Sequence, residues 1–289
     1  MATYVVCGAT GRTGSVVARE LRKRGHQVTA IARESSPTGA LEAQGIHVAR
    51  GSLEDRDLIT SALNGADAFF ALLPEDPFAP DFHDRRELMA NAIAAGVRES
   101  SVPHVVFLSA IAASLPKGNG PARTLHQLED ALGDTPTTLT TLRACWLQEN
   151  IGAAIPPATQ AGIYPNFMPS ADHAFPTIAT EDVGRIAADV LTEPPRSETI
   201  DLLGPPYSVR QMAQSLGKAL GRVLRVVDIP PAAHVPTLLQ AGLSREFAEA
   251  AAELYACFAS GRVRPAGDRQ IAGNTPLDAT LNRMMGTEQ

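Results

Sequence analysis

Residues 4–33 of the chain read YVVCGATGRTGSVVARELRKRGHQVTAIAR, and two periodicities meet within this stretch. The short apolar run Tyr4–Cys7 is typical of a buried strand. In Gly14–Arg24, apolar residues recur every three or four positions, which predicts an amphipathic helix. Gln27–Ala32 is apolar almost throughout and predicts a second strand. The stretch therefore predicts a strand–turn–helix–strand unit.

Three glycines, Gly8, Gly11 and Gly14, occupy the predicted turn as G-x-x-G-x-x-G. Glycines permit a tight turn and let the backbone approach a pyrophosphate closely. The start of the following helix offers free N–H groups and the positive end of its dipole to the phosphates. The alternative is a plain turn between strand and helix, but the strand–turn–helix context favours a dinucleotide-binding loop.

The same alternation continues through the first half of the chain. Further strands are predicted at Ile46–Ala49, Ala68–Leu72, His104–Leu108 and Thr138–Leu142. Helical patterns between the strands fall at Thr38–Ala43, Leu53–Leu63 and Asp81–Ala95. Alternating strands and helices form right-handed βαβ units, in which a parallel sheet is covered on both faces. The predicted fold class is α/β, a Rossmann-type doubly wound parallel sheet with a small C-terminal substrate or cap lobe.

The sequence pattern changes after residue 150, where several prolines interrupt the periodicity. Two more helical patterns follow, at Ser208–Leu220 and Ser244–Ala259. A chain of 289 residues is long enough for one large or two small domains, at roughly 100–200 residues each. We expect residues 1–150 to form a Rossmann domain that binds NAD(P). Residues 151–289 are expected to form a smaller α+β cap or substrate lobe, partly interleaved with the main domain.

The end of the second predicted strand bears on the choice of dinucleotide. NAD sites usually place an Asp or Glu there to bind the ribose 2′-hydroxyl. Here the strand ends at Arg33, and Glu34 comes one residue later. An arginine pairs well with a 2′-phosphate, and Arg12 in the glycine loop offers a second cation. These residues favour NADP(H) over NAD(H), and Glu34 keeps the alternative open.

Composition argues against several other classes of protein. The formal net charge is −6 and the basic run Arg22–Arg24 is short, so no direct contact with nucleic acid is expected. No apolar stretch approaches the ~18 residues that suggest a membrane span. The three cysteines are far apart and the seven histidines are scattered, so we predict no metal site. Free thiols fit a reducing compartment, and we expect a cytoplasmic protein.

Several segments together resemble the NmrA-like atypical short-chain dehydrogenases. They are the opening stretch already quoted, then GIHVARGSLEDRDLITSALNGADAFFALLP, VPHVVFLSA, TTLRACWLQEN and TEDVGRIAADVLTEP. The likeness extends through YSVRQMAQSLGKALGRVLRVVDIPPAAHVPTLLQAGLS and so covers nearly the whole chain in order. The resemblance implies a Rossmann-type sheet with a small C-terminal substrate lobe. It also implies either NADPH-dependent quinone reduction or redox sensing by a protein that binds the dinucleotide without turnover.

Carried over position by position, the resemblance implies a set of cofactor contacts. They include Thr10, Gly11, Arg12, Thr13 and Arg33, with Ser52 and Leu53 near the adenine, Leu72, Leu73 and Pro74 beside the adenosine and pyrophosphate, and Ser109 toward the nicotinamide.

The catalytic apparatus departs from that of typical short-chain dehydrogenases, which use a Tyr-x-x-x-Lys pair as acid or base. No such pair occurs in this sequence, and His126 falls near the tyrosine position of the equivalent helix. We assign catalytic roles to Ser109 and His126, although His126 can equally be a solvated surface residue. A hydrolase is disfavoured because Ser109 lies in no G-x-S-x-G elbow.

Quinone reduction tolerates the missing pair, because hydride passes directly to an electron-poor ring and protons can come from water. We therefore predict an NADPH-dependent oxidoreductase whose acceptor is a quinone or similar small molecule. Reduction of an enone, an imine or an activated alkene is chemically close and stays open. The alternative is a non-catalytic NADP(H) sensor with a regulatory protein partner, and homo-oligomers are also open.

The acceptor is expected where the strands end, in the crevice at the carboxyl edge of the sheet. Aromatic walls suit a flat acceptor. The predicted substrate contacts are Phe78, Trp146, Asn150, Tyr164 and Phe167.

Overall fold

The computed structural model describes residues 1–286. Its strands, in chain order, are β1 (Thr3–Cys7), β2 (Gln27–Ala32), β3 (His47–Arg50), β4 (Ala68–Leu72), β5 (His104–Ala110), β6 (Thr138–Ala144), β7 (Trp146–Leu147), β8 (Ile163–Asn166), β9 (Phe175–Ile178), β10 (Glu198–Leu203), β11 (Pro206–Tyr207), β12 (Arg225–Asp228) and β13 (Arg269–Ala272). Its helices are α1 (Arg12–Lys23), α2 (Gly39–Glu42), α3 (Arg56–Leu63), α4 (Phe82–Ser100), α5 (Ala122–Gly133), α6 (Ile155–Ala161), α7 (Thr180–Thr192), α8 (Val209–Ala219), α9 (His234–Gln240), α10 (Arg245–Ala259) and α11 (Leu277–Met285).

Eight parallel strands form the central sheet, in the order β13-β10-β6-β5-β4-β1-β2-β3. Strand β1 is flanked by β2 on one side and β4 on the other, so the order of strands reverses there. Ligands of open parallel sheets bind in the crevice beyond the carboxyl ends at such a reversal. The predicted α/β, doubly wound parallel sheet is confirmed.

Both faces of the sheet are buried, each in its own hydrophobic core. Val6 and Phe70 point into a core shared with α1 and α7. Their neighbours Val5 and Phe69 point into the opposite core, with side chains of α3, α4 and α5. Adjacent residues of a strand face opposite sides, so burial on both faces requires the continuous apolar runs seen in the sequence.

Elements after residue 150 complete the main sheet as well as the lobe. Strands β10 and β13 extend the sheet beyond β6, and α7 packs on α1. The lobe contains the strand pair β8–β12 and helices α8 and α11 around a core that includes Tyr164, Met212 and Leu281. Residues after 150 thus contribute β10 and β13 to the main sheet and α7 to one of its faces, and the division into domains 1–150 and 151–289 stays a prediction.

Two predicted helix limits were wrong for identifiable reasons. Helix α3 begins at Arg56 rather than Leu53, because the side chain of Asp55 caps the helix there. Its carboxylate accepts hydrogen bonds from the N–H groups of Asp57 and Leu58. Helix α4 continues past Ala95 to Ser100, although Gly96 lies inside it. A Cβ at Gly96 would lie 2.6 Å from Cγ2 of Ile59, so this glycine serves the close packing of α3 on α4.

Close packing of α7 on α1 is open to test at Gly184. A Cβ there would lie 2.5 Å from Cβ of Val16 and 3.0 Å from the carbonyl oxygen of Thr13. We expect Gly184→Ala to lower the free energy of unfolding by about 1–3 kcal/mol, because the two helices must separate. Gly133→Ala in α5 is the matched control, since its Cβ would meet nothing within 4 Å. Equal urea midpoints for the two variants would contradict this packing.

Stability is also expected to fall at acid pH because of His104. This residue of β5 is 2% exposed, and desolvation lowers its pKa to about 4. The unfolded chain takes up that proton below pH ~6.5, whereas the folded chain resists it until the lower pKa. The unfolding free energy should therefore decrease, by up to about 3 kcal/mol, as pH falls through this window. The unfolding free energy is measured by urea titration at pH 7 and pH 5. Between these two pH values it should decrease less for His104→Gln than for the wild type.

Candidate functional site

The predicted cofactor residues follow five strands that are neighbours in the sheet. The residues come after β1, β2, β3 and β4 and at the end of β5, and these strands are adjacent in the order β5-β4-β1-β2-β3. All of these strands are parallel, so their carboxyl ends meet at one edge. The structure thus brings the whole predicted set to a single edge, although the residues span Gly8 to Ser109 in the chain.

The glycine loop is closed so tightly that two of its positions exclude a side chain. Gly8 has φ +64°, and a Cβ there would lie 2.9 Å from Cδ2 of Leu72 at the end of β4. A Cβ on Gly14 would lie 2.3 Å from the carbonyl oxygen of Gly8. The N–H of Gly11 donates to that same oxygen at 2.8 Å. The loop therefore holds the first turn of α1 against the end of β1.

Among residues 1–286, no side chain caps the start of helix α1, and the first turn of this helix contains no acidic residue. Among the helices described in residues 1–286, Asp55, Ser208 and Ser244 cap α3, α8 and α10 with their side chains, and α1 shares its uncapped start with the other helices. The first N–H groups of a helix have no partner within the helix, so those of α1 remain free for an anion. Thr10, Gly11 and Arg12 are exposed beside this helix start, whereas Thr13 is buried.

Arg12 and Arg33 leave their positive charges free on this edge. Both are exposed, and within residues 1–286 neither guanidinium forms an ion pair or a hydrogen bond. Arg33 directly follows β2, and its backbone carbonyl accepts from the N–H of Ser36 at 2.9 Å. Glu34 is also exposed. The edge between β1 and β2 therefore presents two free cations beside an uncapped helix start.

The ends of β3 and β4 border this edge on either side. Ser52 is exposed, and its hydroxyl accepts from the N–H of Glu54 at 3.1 Å beside a surface hollow. Leu53 is half-buried, and Leu72 packs on Gly8. Leu73 is buried and Pro74 is exposed.

A buried arginine ties two loops of this edge together. Arg86 of α4 is 1% exposed and donates to the carbonyl oxygens of Pro74, at 3.2 Å, and Pro121, at 3.3 Å. Its Nη1 lies 3.3 Å from the carboxylate of Glu75. Pro74 follows β4 and Pro121 immediately precedes α5. The guanidinium of Arg86 therefore links the loop that follows β4 to the loop that follows β5.

Ser109 belongs to a buried polar group of three residues. Its hydroxyl donates to Oε1 of Glu129 at 2.5 Å. Arg143 of β6 donates to the same carboxylate through Nε, at 3.1 Å, and Nη2, at 2.5 Å. Ser109 is 4% exposed and Glu129 8%. The hydroxyl is thus bonded to a carboxylate and not to a histidine, which argues against a hydrolase triad.

His126 lies on α5 with both ring nitrogens near polar atoms. Nδ1 is 2.9 Å from the carbonyl oxygen of Ala113, in the turn after β5. Nε2 is 3.5 Å from the carboxylate of Asp130. The side chain is 23% exposed. These contacts hold the ring against the loop that follows Ser109.

Helix α10 lies over the loops that follow β4 and β5 and is bonded to both. The N–H of Ser244 donates to the carbonyl of Pro77 at 2.9 Å. Glu246 accepts from the N–H of His83 at 3.0 Å, and Glu253 accepts from that of Gly120 at 3.1 Å. The C-terminal half of the chain therefore covers the carboxyl edge of the sheet near β4 and β5.

An aromatic cluster joins α10 to the lobe at this edge. Trp146 lies 6.3 Å from Tyr255 and 5.9 Å from Phe258, measured between ring centroids. Phe167 stacks on Tyr255 at 5.0 Å with an interplanar angle of 11°. His234 completes the cluster, at 5.3 Å from Phe167. Burial raises the pKa of Tyr255 to about 12, so its phenol keeps its proton at neutral pH.

Two predicted substrate contacts, Trp146 and Phe167, lie in this cluster, whereas three others do not. Tyr164 is 7% exposed in the core of the lobe, where its hydroxyl donates to Sδ of Met212 at 3.8 Å. Tyr164 thus lies in the core of the lobe rather than in the cluster itself, and its contact with the substrate stays a prediction. Phe78 is 64% exposed in the loop after β4. Asn150 is exposed in the turn after β7.

Sequence reasoning missed Tyr255 and the Glu129–Arg143 pair. A signal for Tyr255 was present, since it lies one helical turn from Phe258 and shares its face of α10. Arg143 interrupts an otherwise uncharged strand, TLTTLRA, and such a charge is rarely buried unless paired. Burial raises the pKa of the neighbouring Cys145 thiol to about 12, which disfavours a nucleophilic thiolate at neutral pH.

Residues 1–286 contain neither a metal-binding cluster nor a membrane-spanning helix. No group of three His, Cys, Asp or Glu side chains in that range could hold a metal ion. None of the helices described there is long and apolar enough to cross a membrane.

The chain belongs to the NmrA-like family, whose model matches residues 2–269. It is 25% identical over 254 residues to an NAD(P)H azoreductase of Xenophilus azovorans, an alignment that covers 87% of this chain and 86% of that protein. It is 27% identical over 252 residues to quinone oxidoreductase 2 of Escherichia coli strain K12, covering 86% of this chain and 85% of that one.

Solved structures agree on the fold. A Citrobacter sp. triphenylmethane reductase in complex with NADP(H) superposes with a TM-score of 0.78 at 22% identity, over 98% of this chain and 99% of that one. An Escherichia coli NADPH-dependent quinone oxidoreductase in complex with NADPH superposes with a TM-score of 0.74 at 21% identity, over the same shares of 98% and 99%.

Arg86 offers a test of how the edge is assembled. We expect Arg86→Met to lower the free energy of unfolding by about 2–4 kcal/mol, because two loop carbonyls lose their buried donor. Arg123→Met is the matched control, since Arg123 is 44% exposed and its ion pair with Glu87 is 3.4 Å long. The control should cost less than about 1 kcal/mol. Similar losses in urea denaturation would show that Arg86 does not link the loops.

Proposed function

We propose that the protein is an NAD(P)H-dependent oxidoreductase that transfers hydride from NADPH to a quinone or a similar electron-poor small molecule. One observation carries the proposal: the uncapped start of α1 and the free guanidinium of Arg33 lie on the same edge of the sheet. A helix start binds a pyrophosphate, and an arginine binds a 2′-phosphate in a bidentate manner. NADP(H) carries both groups.

The residues at the edge fit this cofactor. The contact between Gly14 and the Gly8 carbonyl leaves no room for a Cβ and holds the free N–H groups of α1 at the end of β1. Arg33 and Arg12 would hold the 2′-phosphate, and Ser52 and Leu53 would border the adenine. Leu72, Leu73 and Pro74 would line the path toward Ser109. The cofactor supplies the hydride, and the chain supplies binding, orientation and exclusion of water.

The acceptor is proposed to bind against the aromatic cluster of Trp146, Phe167, Tyr255, Phe258 and His234. Aromatic walls favour flat conjugated molecules. The relatives point the same way, since their names describe reductases of azo compounds, quinones and triphenylmethane dyes. Hydride transfer to such acceptors places electrons in a conjugated system, so a dedicated Tyr-x-x-x-Lys acid is dispensable. His126 remains a candidate for moving a proton near the β5 loop.

The experiment for this proposal is a calorimetric titration with NADPH, NADP⁺, NADH and NAD⁺, followed by NADPH oxidation with a panel of quinones, azo dyes and triphenylmethane dyes. Binding with turnover supports the oxidoreductase. Binding without turnover of any acceptor would favour the NADP(H) sensor, and a partner protein would then be sought. Absence of binding would contradict both. The cytoplasmic location stays a prediction, and a homo-oligomeric state stays open.

Arg33 gives the sharpest prediction for cofactor choice. We expect Arg33→Ala to weaken NADPH binding about tenfold or more, because a charge-assisted pair with the 2′-phosphate is lost. Affinity for NADH, which has no 2′-phosphate, should change little. Arg98→Ala, an exposed arginine near the end of α4, is the control. If Arg33→Ala weakened NADPH and NADH binding equally, the assignment of Arg33 to the 2′-phosphate would be wrong.

A further inference from the structure

The buried group of Ser109, Glu129 and Arg143 connects three elements of the main domain. Ser109 and Arg143 are register partners on β5 and β6, and Glu129 reaches them from α5. The carboxylate accepts three hydrogen bonds, one from the hydroxyl and two from the guanidinium. The Arg143 side chain is 16% exposed and that of Glu129 8%. All three donors converge on one carboxylate at the carboxyl end of β5.

This geometry decides the direction of the Ser109 hydroxyl. A carboxylate paired with a guanidinium has no hydrogen to donate, so the single hydroxyl hydrogen of Ser109 must point at Glu129. Only the lone pairs of Oγ remain for any other partner. Ser109 can therefore accept a hydrogen bond from a ligand but cannot donate one while the bond to Glu129 lasts. This orientation favours a role for Ser109 in binding over a role in donating a proton.

The position of Ser109 indicates which part of a dinucleotide it would meet. The pyrophosphate is assigned to the loop after β1, and Arg33 after β2 binds the adenosine half. The other half must then extend across the opposite side of β1, toward β4 and β5. That half ends in nicotinamide, whose carboxamide carries an N–H₂ donor. An oxygen that can only accept suits this group.

We propose that Ser109 accepts a hydrogen bond from the nicotinamide carboxamide, and that Glu129 and Arg143 are positioning residues that hold Ser109 in its accepting orientation. The proposal rests on the proposed binding of NADP(H), not on turnover. Burying an ion pair costs desolvation and often adds little net stability, so stability alone is a weak explanation for this pair. Because Ser109 donates the third hydrogen bond to this carboxylate, the Glu129–Arg143 pair orients the Ser109 hydroxyl at the edge where the cofactor is proposed to bind.

The test compares NADP⁺ with its 3-acetylpyridine analogue, in which a methyl group replaces the carboxamide N–H₂. Dissociation constants are measured by isothermal titration calorimetry on the full chain, so no turnover is required. The wild type should bind NADP⁺ about fivefold more tightly than the analogue, as expected for one hydrogen bond. Ser109→Ala should reduce this preference to nearly one. The control Ser61→Ala, an exposed position on α3, should keep it.

The positioning residues Glu129 and Arg143 are tested by the same ratio of the dissociation constants of the 3-acetylpyridine analogue and NADP⁺. Glu129→Gln and Arg143→Met should each reduce the preference for NADP⁺, whereas Arg143→Lys, which keeps the cation, should restore most of it. A purely structural role would lower the melting temperature without changing the ratio. An unchanged ratio in Ser109→Ala, or no preference in the wild type, would overturn the inference and leave the proposed function standing. If the wild type bound neither nucleotide, the proposed function would fail with it.

Discussion

Helix α1 meets the loop after β1 so closely that Gly14 lies against the carbonyl oxygen of Gly8, with no room for a Cβ between them. This contact fixes the start of the helix relative to the end of the strand. The first N–H groups of α1 therefore have a fixed position at the carboxyl edge of the sheet. No side chain within residues 1–286 caps them. The proposed site of the pyrophosphate is at this helix start. The adenosine half of the cofactor is then proposed to extend toward Arg33, and the nicotinamide half toward Ser109.

Buried charges organise the rest of this edge. Arg86 binds the loops after β4 and before α5 through their carbonyl oxygens, and Glu129 holds Ser109 and Arg143 at the ends of β5 and β6. Loops at the edge of a parallel sheet have few partners of their own, so these bonds limit how far they can move. The geometry proposed for the cofactor therefore depends on side chains that lie beneath it.

The second half of the chain completes both the sheet and the site. Helix α7 and strands β10 and β13 extend the fold that the first half begins, and α10 covers the loops after β4 and β5. Trp146 meets Tyr255 and Phe258 only because α10 returns over the sheet. The aromatic wall proposed for the acceptor thus belongs to neither half alone.

The sequence by itself determined the parallel sheet, the glycine loop and the set of residues at the strand ends, because these features depend on local periodicity and on short-range turn chemistry. It also showed Arg33 at the end of β2. The tertiary structure alone decided which side chains face the crevice: it buried Tyr164 on Met212, stacked Phe167 on Tyr255 and turned the Ser109 hydroxyl toward Glu129. Such contacts join residues far apart in the chain, and their orientation depends on how the lobe and α10 pack on the sheet, which no local pattern encodes.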